Sequence, residues 1–131
     1  MRLDRLVKTI VDALEDIKGR DIVVLDVRRM TALFDKVIVV SGDSTRQNKA
    51  LANHVQDKVK ALGATLYGVE GTDPGEWVLV DLGAVVVHVM QPAIRDSLAR
   101  GVSPRYLLPD PVLDYIRSNG LYVTQEVNEA R

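Results

Sequence analysis

Leu3, Leu6, Val7, Ile10, Val11, Leu14 and Ile17 recur at steps of three and four residues, the spacing that lines one face of a helix, and Gly19 marks where that helix stops. Asp21 to Arg28 and Lys36 to Val40 are rich in β-branched residues. The second run lacks polar alternation, which predicts a strand buried on both faces. Ser44 followed by Gln47 has the spacing of a capping box, and Leu51, Val55, Val59 and Leu62 carry a helical stripe that Gly63 ends. Thr65 to Glu70 reads as a third strand, and Trp77 to Leu82 with Ala84 to Met90 as a hairpin. Pro92 opens a last helix that Gly101 closes. The order helix, strand, strand, helix, strand, strand, strand, helix predicts an α/β domain with a mixed five-stranded sheet flanked by helices. The crossover through residues 44–63 requires at least one parallel pair.

Four residues interrupt the core-like run from Tyr67 to Gln91: Glu70, Trp77, Asp81 and His88. With Leu82 and Gly83 as a two-residue loop, Asp81 faces Ala84, Leu79 faces Val86 and Trp77 faces His88, making indole and imidazole cross-strand neighbours. Asp81 then accepts backbone hydrogen bonds at the turn, Glu70 and Gly71 end a strand, and His88 is a hydrogen-bonded structural residue. Trp77, the single tryptophan, is expected on a solvent-facing side of the sheet as a binding anchor. Beyond Gln91 come Pro104, Pro109 and Pro111, which divide a domain at residues 1–100 from a C-terminal extension at 101–131. In that extension Asp110-Pro111 is expected to cap a brief helix through Ile116, with Thr124 to Arg131 frayed.

Composition narrows the chemistry. A chain of 131 residues with 47% hydrophobic content is sized for one domain with its own core. Without cysteine there is no disulfide, no thiolate metal site and no catalytic Cys, which suits a reducing compartment. Acidic residues interrupt the apolar N-terminal stretch MRLDRLVKTIVDALEDIK, unlike a signal peptide or membrane span, so a cytoplasmic protein is expected. Seventeen basic and eighteen acidic residues give a net charge of −1, which supplies no global attraction to phosphate backbones. Direct sequence-specific nucleic-acid binding is therefore not expected.

Gly68-Val69-Glu70-Gly71, Trp77-Val78-Leu79-Val80-Asp81-Leu82-Gly83 and Val87-His88-Val89-Met90-Gln91, in this order and spacing, resemble the signature of the Iojap family of ribosomal silencing factors. Leu25-Asp26-Val27 and Ser41-Gly42-Asp43-Ser44-Thr45-Arg46-Gln47 agree with it upstream, so that the resemblance spans roughly residues 3 to 96. It implies a non-enzymatic protein that needs no cofactor or metal. Such a protein binds the large ribosomal subunit through ribosomal protein L14, blocks subunit joining and lowers translation when nutrients are scarce. Arg46, Gln47, Glu70, Trp77, Asp81 and His88 are the matched positions for partner binding, with the hairpin face as the contact surface. Phe34-Asp35-Lys36 and Ala84 depart from the family pattern, as does everything after Gly101. Self-association is a further expectation: a homodimer burying Trp77 would occlude the silencing face.

The family's fold resembles nucleotidyltransferases, and this supplies an enzymatic alternative in which Asp43, Glu70 and Asp81 hold magnesium on nucleotide phosphates. Ser41-Gly42-Asp43-Ser44 would be the glycine-serine turn opening a helix. The paired carboxylates of such sites are missing, because the following strand ends in a lone Glu70 and Asp81 stands apart from other acids. His88 and His54 have no ligand spacing, and the turn reads as a helix cap.

Overall fold

The helical stripe at the start of the chain forms α1 (Leu3–Asp16), which buries Leu6, Ile10, Ala13 and Leu14. The computed structural model describes residues 2–99. Two strands follow, β1 (Arg20–Asp26) and β2 (Lys36–Ser41). β1 stops two residues short of the expected end because the Asp26 carboxylate accepts the Arg28 N–H at 3.1 Å, a local turn that competes with the ladder. α2 (Thr45–Leu62) begins at Ser44, whose hydroxyl accepts the Gln47 N–H at 3.1 Å. Gln47 Oε1 in return accepts the Asp43 N–H at 2.7 Å. The helix ends at Gly63, left-handed at φ 91°. β3 (Gly68–Glu70), β4 (Trp77–Asp81), β5 (Val85–Met90) and α3 (Pro92–Ala99) complete the order. The extension expected at 101–131, with its Asp110-Pro111 cap and frayed end, lies outside the described residues, as does the helix end expected at Gly101.

The five strands make one mixed sheet in the order β1-β2-β5-β4-β3. β2 and β5 are its parallel pair, and the other three pairings are antiparallel. β3 is shorter than expected because its ladder opens only where Gly68 meets Asp81, the last residue of β4. α1 and α2 lie on one face, where Leu51, Val55 and Val59 of α2 join Ile38, Val40, Val78, Val80, Val87 and Val89 in a single apolar cluster. Cross-strand partners place Val37, Val39, Trp77, Leu79, Asp81, Val86, His88 and Met90 on the opposite face. That alternation makes β2 and β5 apolar at nearly every position, since both sides of the central strands are covered.

The hairpin register differs from the expected one by two residues. Asp81 pairs with Val86, Leu79 with His88 and Trp77 with Met90. Leu82 still donates its N–H to Val85 O at 2.9 Å, so the turn falls on Gly83 and Ala84, with Gly83 at φ 82°. The cause is burial: Leu82 and Val85 both belong to the helix-side cluster, and placing Leu82 in an exposed turn would forfeit about 2 kcal/mol.

Candidate functional site

A shift of two keeps every side chain on its face, so Trp77 and His88 share one as expected, on a diagonal instead of directly opposed. The indole Nε1–H donates to His88 Nδ1 at 2.7 Å, with ring centroids 5.6 Å apart. This bond fixes the neutral tautomer with its proton on Nε2, a buried atom with no hydrogen-bond partner among the described residues. Burial pushes the imidazole pKa down to about 3. The structure corrects one expectation here: Trp77 is only 4% exposed and His88 is 0% exposed, so Trp77 is a core residue and not a solvent-facing anchor. Strand alternation shows which residues share a face but not whether that face is covered. On the same face Arg95 of α3 is buried and donates from Nη1 to Ser41 Oγ at 3.0 Å.

The other expected site residues fall into separate places. Asp81 stands at the end of β4, and its Oδ1 accepts the Gly83 N–H at 2.9 Å, the turn-closing role read from sequence. Glu70 ends β3 on the sheet edge, exposed and paired with Leu79. A row thus runs Glu70, Leu79, His88, Val39 across four strands, and a second runs Gly68, Asp81, Val86, Val37. Arg46 and Gln47 lie elsewhere, in the first turn of α2 beyond the far end of β2. Arg46 is exposed, whereas Gln47 also donates from Nε2 to Ile17 O at 3.1 Å, tying α2 to the end of α1. Asp43, at that same end, pairs with Arg20 at 3.0 Å. Asp43 and Asp81 therefore sit at opposite ends of the sheet. Among the described residues no group of three His, Cys, Asp or Glu is placed to hold a metal ion.

What surrounds Asp81 was not foreseen. A cleft of about 360 Å³ opens beside the hairpin turn, lined by Leu33, Phe34, Tyr67, Leu79, Val86 and Asp81. Leu33 is 72% exposed and Tyr67 67% exposed, the two large apolar side chains that the described surface leaves in water. Tyr67 lies across Gly83, where an added Cβ would come within 2.7 Å of Cε2. The available sequence signal was Leu33-Phe34, two apolar residues in a connection with no periodic partner.

Residues 1–99 match the family described as "Ribosomal silencing factor during starvation". A ribosomal silencing factor from Chromobacterium violaceum is 56% identical over 96 residues, covering 73% of this chain and 79% of that protein. The mouse protein named mitochondrial assembly of ribosomal large subunit protein 1 is 31% identical over 91 residues, 67% of this chain and 40% of its own length. A crystal structure of a Chromobacterium violaceum protein superposes with a TM-score of 0.72 at 50% identity, covering 82% of this chain and 94% of that one.

Proposed function

The chain belongs to the family of ribosomal silencing factors, and from that premise we propose that it binds the large ribosomal subunit through ribosomal protein L14. Occupancy there blocks subunit joining and lowers translation under nutrient limitation. The family assignment makes the protein a ribosome-associated translation regulator, and its relatives within that family are named as silencing factors, not enzymes. The observation that carries the docking reading is the cleft at the hairpin turn, where exposed Tyr67 and Leu33 flank Asp81. An exposed aromatic ring lying across a hairpin turn, beside that turn's carboxylate, is the composition of an interface hot spot.

In this reading Asp81 and Glu70 meet the partner. Trp77 and His88 act from beneath, by holding β4 and β5 in register. Arg46 and Gln47 lie outside the patch, at the start of α2. The mechanism is steric, so its strength follows the fraction of large subunits occupied. A protein-protein contact also suits a chain of net charge −1 on an RNA-rich particle. The cytoplasm is the compartment proposed; among the described residues no helix is long and apolar enough to cross a membrane. A homodimer through the same face would compete with the ribosome.

Co-sedimentation with separated subunits tests the proposal. The protein is expected with large subunits and not with small ones. Equal binding to both, persisting with bare ribosomal RNA, would replace specific docking with nonspecific electrostatics. The second reading, a nucleotidyltransferase-like topology with metal-dependent activity, needs Asp43, Glu70 and Asp81 around one ion. The separation of Asp43 from Asp81 along the sheet speaks against it.

A further inference from the structure

Tyr67 separates two clefts. On its far side from Asp81 a second opening of about 470 Å³ is lined by Leu3, Leu6, Asp35, Ala64, Tyr67 and Leu82 among others. We infer that this second cleft is a guanidinium subsite, which takes an arginine side chain of the protein partner while the first cleft takes an apolar one. The inference rests on the docking reading above and adds the chemistry of the group that is held.

Three observations converge on it. Asp35 lines the cleft half-buried, its N–H spent on Ala84 O at 2.8 Å and its C=O on the Val27 N–H at 3.0 Å. Its carboxylate makes no hydrogen bond or ion pair among the described residues, so an anion on the cleft wall is left to be matched from outside. Second, Gly63 and Ala64 place the C-terminal end of α2 at the cleft wall. The 18-residue helix directs the negative end of its dipole there. Third, Tyr67 offers an exposed ring. A planar cation can stack on that ring while it donates to a carboxylate, a geometry that arginine satisfies and lysine does not.

The neighbouring cations do not fill the role. Arg28 senses Asp35 electrostatically, but its guanidinium is held by Asp26 at 2.6 and 3.0 Å. Lys36 is likewise drawn to Asp26, at 3.4 Å. Lys60, in the last turn of α2, is exposed, and Arg2, beside the cleft-lining Leu3, pairs with Asp4 at 3.2 Å. Asp35 on one side of Tyr67 and Asp81 on the other put a carboxylate in the wall of each cleft, which favours a basic side chain over a phosphate in these two places.

The test has two arms. Backbone NMR of the full chain is titrated with millimolar N-acetyl-arginine-amide and, separately, with the lysine analogue. Shifts confined to Leu3, Leu6, Ala64 and Tyr67 are expected with arginine and lost in Asp35→Asn; scattered shifts, or shifts that survive the substitution, overturn the subsite. In co-sedimentation, Asp35→Asn should weaken large-subunit binding about tenfold with an unchanged melting curve, Asp35→Glu should recover part of it, and equal binding by Asp35→Asn overturns the inference. A wild-type protein that ignores large subunits sinks the docking reading, and the arginine titration still decides the subsite.

Discussion

Acid should destabilise this fold through His88 before its carboxylates matter. The imidazole is 0% exposed, and its Nδ1 lone pair is occupied by the Trp77 Nε1–H at 2.7 Å. A second proton would break that bond and leave a cation among valines, so burial holds the pKa near 3 against an ordinary 6.5. The acid nearest along its row, Glu70, is separated from it by Leu79, and Arg95 lies on the same face, donating to Ser41. With the folded pKa below the unfolded one, the unfolded chain takes up a proton between about pH 6.5 and 3 that the folded chain refuses. Stability is then complete above pH 6.5 and falls by about 1.4 kcal/mol per unit below it, about 2 kcal/mol by pH 5. That is a large share of the 5–15 kcal/mol typical of a domain. Urea unfolding at about pH 7.5, 6 and 5 measures it, with the slope m held constant. His88→Gln, whatever its baseline stability, should flatten the dependence, and His54→Gln serves as the control for the other imidazole. The Arg28 guanidinium holds the Asp26 carboxyl well below its ordinary range, and this acts only as pH falls toward 3.8 and lower, beneath the range assayed. A wild type flat from pH 7.5 to 5, or a His88→Gln variant with an undiminished slope, would refute the reasoning.

Trp77→Ala should cost about 3–5 kcal/mol in urea or thermal unfolding, because it empties a core position and strips His88 of its donor; a melt shifted by less than about 1 kcal/mol would return Trp77 to the surface. Gly42→Ala should destabilise by about 1–3 kcal/mol, since a Cβ there runs into the buried Asn48 Oδ1, and an unchanged melt would show that the two move apart freely. Tyr67→Ser should leave stability within about 1 kcal/mol while weakening large-subunit co-sedimentation about thirtyfold; undiminished binding would remove the hairpin-turn cleft from the docking surface.

The elements legible in the sequence are those whose signal is local. The α1 stripe, the Ser44 and Gly63 boundaries of α2 and the β-branched runs of β2 and β5 each follow from periodicity or backbone preference over a few residues. What tertiary packing decides was misread or missed. The hairpin turn moved from Leu82-Gly83 to Gly83-Ala84 because the core claims Leu82. Trp77 was placed in water because alternation cannot tell a covered face from an open one. Tyr67 and Leu33 carry no pattern, since an apolar residue left in water is defined by what fails to pack on it. Gln47 matched a motif position, yet its bonds to Asp43, Ser44 and Ile17 account for it within the fold.

β5 is the last strand of the described residues and lies in the middle of the sheet, between β2 and β4. During synthesis the first 84 residues can form the β1–β2 ribbon and the β3–β4 ribbon, but no strand pairs with both until Val85–Met90 arrives and inserts between the two. Closure of the sheet thus waits for its fifth strand: until then the nascent chain keeps two unmatched strand edges, and β5 converts both at once. Its amides should accordingly be among the slowest to exchange with solvent, because releasing them means opening the whole domain.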